Sequence, residues 1–226
     1  MTTVITGGSA GLGKCIMGAL SEGEDVINWD LATGVDVSAS VSVDRAARAL
    51  YSAKIDVLIN NAGTNHLAPL AEYDEQDWDR VMNTNAKSIY LVTRALLENL
   101  RGGTILNIVS NAAHLPFTNS IAYNASKGAA HIMTRQLARE LFKSHNITVF
   151  GIAPNRLANT TMSETITKRV CALRGWTKEE ADDYQRSTLP CGEETDPVEL
   201  AEFIAYLLST KGRHKYLHSC ILEYGR

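Results

Sequence analysis

Apolar residues recur along the chain in two alternating patterns, short runs rich in β-branched side chains and longer stretches with helical spacing. Thr2 to Thr6 is a β-branched run ending at GGSAGLG, after which Ile16, Met17 and Leu20 follow at helical spacing, so the opening reads as strand, glycine turn, helix. Asp25 to Trp29 (DVINW) predicts a second strand and Val35 to Val37 a minimal third. Val43 to Tyr51 predicts a helix with Ala46, Ala47 and Leu50 inward. Ile55 to Ile59 is apolar enough for a strand buried on both faces. Gln76 to Leu100 carries one long helical pattern that Gly102-Gly103 ends, and Thr104 to Val109 predicts another buried strand. A helix from Ala122 to Lys143, a strand from Ile147 to Ile152, a helix opened by Asp196-Pro197 and a strand near Leu217 to Leu222 complete the series. Strands alternating with helices predict an α/β domain with one doubly wound parallel sheet, helices on both faces and right-handed crossovers.

No repeat, low-complexity tract or linker divides the chain, and 226 residues suit a single domain over 1–226. Asn159 to Pro190 alone breaks the rhythm. It is long and highly charged, with a narrow apolar stripe of Ile166, Val170, Leu173 and Trp176, and reads either as a substrate lid over 159–190 or as a surface helical hairpin.

Hydrophobic residues at 45% and charged ones at 21% exclude a disordered or fibrous chain. Lys and Arg number 22 against 25 Asp and Glu, giving 22 − 25 = −3 with no long run of either sign, which points to small-molecule ligands and away from nucleic acid or an acidic membrane. Cys15, Cys171, Cys191 and Cys220 form no CxxC pair, so neither a metal site nor a redox dithiol is expected. MTTVITGG lacks the basic and apolar regions of a secretory signal, and no apolar run reaches a membrane span, so a cytoplasmic protein is expected.

Thr6-Gly7-Gly8-Ser9-Ala10-Gly11-Leu12-Gly13 lies between the first strand and the first helix, where glycines let backbone N–H groups and a helix N-terminus approach a diphosphate. The spacing Gly7, Gly11, Gly13 differs from the common GxGxxG. At the end of the second strand, Asp30 is placed to accept hydrogen bonds from a ribose diol and to repel a 2′-phosphate, which favours NAD over NADP; alternatively it starts a turn with Thr33-Gly34. Neither Ser9 nor Ala10 is basic, and no Arg follows Asp30. Asp36 and Val37 follow the third strand and are placed to flank an adenine.

TGGSAGLG, then Asn60-Asn61-Ala62-Gly63, then Tyr123-Asn-Ala-Ser-Lys127 together resemble the short-chain dehydrogenase/reductase family, a Rossmann-type fold, over nearly the whole chain. The resemblance implies that Asn60, Ala62 and Gly63 lie beside the adenine and ribose and stabilise the central sheet. Tyrosine is a weak acid with an unperturbed pKa near 10, and a fixed positive charge nearby lowers that value. Tyr123 and Lys127, four residues apart on a helix, share one face, and Ser110 stands at the end of the fifth strand. The resemblance implies that Tyr123 gives or takes the substrate hydroxyl proton, that Lys127 lowers its pKa and holds the ribose, and that Ser110 orients the carbonyl. Asn85, with Asn83 as the competing choice, matches the family's helix asparagine in a proton relay to solvent. These residues imply hydride transfer between nicotinamide and carbon, interconverting a secondary alcohol and a ketone.

Two places depart from the family pattern. The usual Pro-Gly after the sixth strand is Pro154-Asn155, with Thr160 or Thr161 left to contact the nicotinamide amide; Asn155 either alters the backbone or puts an amide in the pocket. The usual final VDGG is Leu222-Glu223-Tyr224-Gly225. Candidate substrate contacts are Asn65, His66, Asn111, His114, Phe117 and Arg156, and Arg156 with two histidines suggests a small polar, anionic substrate. Two other readings are open: an NAD-using epimerase or dehydratase, and a dinucleotide-binding scaffold or regulatory protein without turnover. The resemblance also implies a homodimer or homotetramer formed through the long helices. Only five residues separate Asp30 from Asp36, too few for a crossover helix, so the adenosine end of the site is expected to be trimmed.

Overall fold

The computed structural model describes residues 1–20, 24–209 and 214–225. Six parallel strands form one sheet in the order β2-β1-β3-β4-β5-β6: β1 Thr2–Thr6, β2 Asp25–Trp29, β3 Val57–Asn60, β4 Thr104–Ile108, β5 Thr148–Pro154 and β6 Ile221–Tyr224. Successive residues in each strand point to opposite faces. Val4, Leu58, Ile105 and Val149 enter one core layer with Val43 of α2 (Ser40–Arg48), Val92 of α4 (Ser88–Ala95) and Leu141 of α5 (Ile121–His145). Their neighbours Ile5, Ile59, Leu106 and Phe150 enter the opposite layer, against Ile16 of α1 (Gly11–Ala19) and Leu200 and Ile204 of α8 (Pro197–Ser209). Burial on both faces explains why the central strands are apolar without alternation. The order reverses between β1 and β3, so the crevice beyond their carboxyl ends is the switch point at which such sheets bind ligands.

Three expectations from the sequence are corrected. Val35 to Val37 forms no strand: Val37 is buried and Val35 packs on the core, while Leu31–Thr33 is a single 3-10 turn after β2. This leaves β2 as the sheet edge. The single helix expected over 76–100 is divided into α3 (Glu75–Met82), a π-helical turn (Asn83–Lys87) and α4 ending at Ala95. The last strand starts at Ile221, because His214–Leu217 forms a 3-10 turn.

Asn159 to Pro190 holds two helices, α6 (Thr161–Arg174) and α7 (Lys178–Ser187). Thr160 and Ser163 cap the first reciprocally, as Thr177 and Glu180 cap the second. Gly175 between them is left-handed at φ +69°, a conformation that side chains disfavour. The Arg174 guanidinium lies 4.5 Å from the Trp176 ring centre and 4.6 Å from that of Tyr184, fastening the hairpin on itself. No helix among the described residues is long and apolar enough to cross a membrane.

Candidate active site

The glycine turn is built to leave its backbone open. A Cβ on Gly7 would come within 2.8 Å of Ala62 Cα, one on Gly8 within 2.6 Å of Asn28 Oδ1, and one on Gly13 would collide with the Gly7 carbonyl. Gly11 is left-handed at φ +51°. Ala10, the N-cap of α1, offers no side-chain acceptor to the first-turn N–H groups, and Ser9 and Ala10 are exposed. Backbone donors at a helix N-terminus without a competing cap suit an anionic diphosphate, so these residues fit a dinucleotide. Leu12 and Gly13 are themselves buried, and the Leu12 side chain belongs to the core.

Residues that sequence reasoning left unassigned hold the turn in place. Thr6 Oγ1 accepts from the Asn61 and Ala62 N–H groups, both at 3.0 Å, and Asn61 Nδ2 donates to the carbonyls of Thr6 and Gly7, both at 3.0 Å. Asn28 Oδ1 accepts from the Gly8 N–H at 3.0 Å, while its Nδ2 donates to Ser9 Oγ at 3.1 Å. The available signal was a polar residue inside an apolar strand run, DVINW for Asn28. The same signal marks Asn107 in TILNIV, which accepts from Asn60 Nδ2 at 2.8 Å and donates to Thr134 Oγ1 at 2.9 Å. The Asn60 amide is thus committed to the sheet interior.

Asp30 does two things at once. One carboxylate oxygen accepts from the Ser9 N–H at 3.1 Å, and the other caps the following turn through the Ala32 N–H at 2.8 Å. Asp36 caps its own loop, accepting from the Ser38 N–H at 2.9 Å and the Ser38 hydroxyl at 2.6 Å.

At the carboxyl ends of β3 and β4 lies a denser group. Ser110, Asn85 and Lys127 are 6, 2 and 5% exposed. Asn85 sits in the π-helical turn, whose extra residue aims its side chain inward. Its Oδ1 accepts from the Thr64 N–H, and its Nδ2 donates to the Thr64 carbonyl, each at 2.8 Å, and to Ser126 Oγ at 2.9 Å. A Cβ on Gly63 would lie 3.6 Å from Asn85 Oδ1 and 3.9 Å from Lys127 Nζ, so glycine there keeps the space between the two open. Lys127 Nζ donates to the Ile108 carbonyl at 3.0 Å and stands 5.8 Å from the Tyr123 ring centre. Ser110 Oγ accepts from the Ala112 N–H at 3.1 Å and donates to Asn111 Oδ1 at 3.2 Å.

The electrostatics differ from the expectation for Tyr123. Burial raises its pKa above the ordinary value and outweighs the opposing interaction with Ser110. Lys127, 5.8 Å from the ring centre, does not reverse this rise, and burial lowers the lysine's own pKa to about 8. A phenol with a raised pKa keeps its proton at neutral pH, as a proton donor must.

Of the candidate substrate contacts, several are already occupied. The Arg156 guanidinium, expected to offer its charge to an anion, pairs instead with Glu194 at 2.6 Å and reaches the Ser163 carbonyl and Thr167 Oγ1 of α6. His66 pairs with Asp77 at 3.3 Å and His114 with Glu223 at 3.7 Å. Phe117 is exposed on a cleft of about 360 Å³ with Ala68, Leu70 and Ile121. Asn65 Oδ1 is shut from solvent without a hydrogen-bond partner, beside Thr64, which Asn85 holds. Arg169 of α6 donates to the Leu67 carbonyl at 2.9 Å, so the 159–190 hairpin rests on the loop that follows β3. Between Thr160 and Thr161, Thr160 is the buried one, and a Cβ on Gly11 would meet its Cγ2 at 3.9 Å.

Comparison with known proteins agrees with this arrangement. The model of the family described as short chain dehydrogenase matches residues 23–170. The chain is 32% identical to a rhamnolipids biosynthesis 3-oxoacyl-[acyl-carrier-protein] reductase of Pseudomonas aeruginosa, covering 93% of this chain and 90% of the relative. It is 28% identical, with the same coverage, to a sorbitol-6-phosphate 2-dehydrogenase of Klebsiella pneumoniae. Among solved structures, a variant of actinorhodin polyketide ketoreductase with NADPH superposes with a TM-score of 0.86 at 25% identity, covering 99% of this chain and 95% of that one. With the glycine turn at the switch point, the tyrosine and lysine one helical turn apart on α5, and a family match over more than half its length, this chain belongs to the short-chain dehydrogenase family of oxidoreductases, which act on alcohol and ketone substrates.

Proposed function

We propose that the chain is an NAD(H)-dependent oxidoreductase that interconverts a secondary alcohol and a ketone on a small polar substrate. The observation that carries this reading is the group of Tyr123, Lys127, Ser110 and Asn85 gathered at the carboxyl edge of β3 and β4. Backbone N–H groups of the glycine turn would hold a dinucleotide, which when bound would supply hydride exchange with the substrate carbon. Tyr123 protonates the substrate oxygen in reduction and removes its proton in oxidation. Ser110 turns its hydroxyl from Asn111 to that oxygen, stabilising the charge that develops there. Lys127, near 8, stands between Tyr123 and the Asn85 side, where it can pass the proton on.

The preference for NAD rests on Asp30, whose negative charge opposes a 2′-phosphate and whose remaining lone pairs can accept from a ribose diol. The polar substrate rests on the sugar-alcohol phosphate named for the Klebsiella relative. Because Arg156 is paired, it no longer argues for an anion. The 159–190 hairpin serves as the substrate lid, latched by Arg169 on Leu67. Exposed Tyr90 and Ile132 on α4 and α5 support a homodimer or homotetramer through these helices.

Absorbance at 340 nm, with NAD and NADP side by side over polyols, hydroxy acids, keto sugars and acyl ketones, tests the reading. Turnover of polar substrates with NAD is expected. A preference for NADP overturns the role of Asp30, and faster turnover of every uncharged lipophilic ketone overturns the polar pocket.

A further inference from the structure

Two departures from the family pattern, Asn155 after Pro154 and the Leu222-Glu223-Tyr224-Gly225 segment, meet in the fold. Asn155, 6% exposed, follows β5. Its Nδ2 donates to the Gly225 carbonyl at 2.8 Å and to the Glu193 carbonyl at 3.2 Å. Its Oδ1 accepts from the Thr195 N–H at 3.1 Å and the Thr195 hydroxyl at 2.6 Å. With a longer contact from Nδ2 to Cys191 Sγ at 3.8 Å, these bonds use the full capacity of a carboxamide. The Asn155 N–H also donates to the Tyr224 carbonyl at 3.0 Å. Gly225 suits this contact because it is left-handed at φ +79°, and a Cβ there would fall 2.6 Å from Asn155 Nδ2. The amide is therefore occupied within the fold, where it joins three stretches of chain.

Both ends of the 159–190 hairpin pass through this joint. The Thr195 N–H donates to the Arg156 carbonyl, and the Ala158 N–H donates to the Thr195 carbonyl, each at 2.9 Å. The Arg156 side chain bridges Glu194 to the Ser163 carbonyl of α6. Ser163 closes the capping box with Thr160, whose Cγ2 lies 3.9 Å from where a Cβ on Gly11 of the glycine turn would stand. Hydrogen bonds thus run from Gly225 through Asn155 and Arg156 to the α6 N-terminus, whose cap Thr160 faces the dinucleotide turn.

We propose that Asn155 is a positioning residue: with Thr195 and Gly225 it clamps both ends of the lid, so that the segment following β6 sets how the lid and Thr160 meet the cleft. This rests on the lid and the carbonyl chemistry proposed above, so one readout must be independent of turnover. Hydrogen exchange of the amides in 161–187 serves for that, beside steady-state kinetics. Asn155→Gly and Thr195→Val are expected to speed exchange in this stretch roughly tenfold and to raise KM for the carbonyl substrate roughly tenfold with kcat within about twofold, the size expected from one or two lost buried hydrogen bonds. Thr195→Ser, which keeps the hydroxyl, is expected to behave as the wild type. Unchanged exchange in Asn155→Gly overturns the proposal, as does acceleration spread equally over the sheet strands, which marks general destabilisation. Should no carbonyl substrate turn over, the oxidoreductase reading falls, while the exchange pattern still decides the clamp.

Discussion

The two ends of the cleft are built differently. At the end of β3 and β4, Ser110, Asn85 and Lys127 are nearly closed from solvent and each is fixed by hydrogen bonds to backbone or buried side chains. At the end of β2, the polar groups are half-buried, Leu31 is 75% exposed, and a sheet edge ends in a three-residue turn. A proton can be passed only between groups held within a fraction of an ångström, whereas a nucleoside can be held by a few backbone contacts and one carboxylate. The closed end has kept its walls, while the open end is reduced to a short loop. Each of the following variants tests how separate the two ends are.

The largest effect is expected at the closed end. Tyr123→Phe removes the one group able to exchange a proton with the substrate oxygen while keeping the ring, so kcat is expected to fall about a thousandfold with dinucleotide affinity and melting temperature nearly unchanged. Comparable activity in this variant breaks the comparison, because the closed end would then be structure without chemistry. Lys127→Met tests what closure costs. Burial depresses the lysine's pKa from 10.5 to about 8, so between those values the unfolded chain holds a proton that the folded chain has released. Stability therefore rises with pH across this window, and below pH 8 the fold carries the full cost of a buried ammonium. The variant is expected to be more stable than the wild type at pH 7, by on the order of 3 kcal/mol, with the gain fading toward pH 10.5. Paired urea titrations at pH 7 and pH 10 measure the difference, and a gain that does not shrink with pH removes the charge as its cause.

The same contrast governs what could be read in advance. Apolar runs such as IDVLI and TILNIV announce strands buried on both faces, and the four-residue spacing of Tyr123 and Lys127 places both on one helix face whatever surrounds them. The π-helical turn left no trace, because one extra residue in a helix barely disturbs an apolar pattern, although it is what turns Asn85 inward. Val35 and Val37 looked like a strand because alternation records burial on one side, and a core contact from a loop produces it equally well. Partners distant in sequence stayed hidden: Glu194 lies 38 residues beyond the Arg156 it neutralises, and Gly225 lies 70 beyond Asn155.

At the open end, Asp30→Ser keeps a short acceptor for the Ala32 N–H while removing the charge. Capping of the turn is therefore largely retained. The ratio of kcat/KM for NADP over that for NAD is expected to rise roughly 10- to 100-fold, since juxtaposed like charges cost several kcal/mol before solvent screening. Tyr123 chemistry is expected to be untouched, so kcat with saturating NAD should stay within about twofold. A ratio that does not move assigns Asp30 to the turn alone.

The smallest effect is expected where the two ends are tied together. Asn28 lies on the edge strand but reaches Gly8 and Ser9, so it transmits the position of β2 to the glycine turn. Asn28→Ala leaves the Gly8 N–H, which is buried, without its acceptor and opens space beside the turn. A buried donor left unmet costs about 1–3 kcal/mol when no water replaces the partner, and the half-buried setting of Asn28 admits one, so the lower limit applies. Dinucleotide affinity is then expected to weaken about fivefold, with kcat at saturation unchanged. Fluorescence titration with NADH measures the first and steady-state rates the second. If kcat falls along with affinity, the glycine turn also aligns the reacting groups at Tyr123, and the two ends of the cleft work as one mechanical unit.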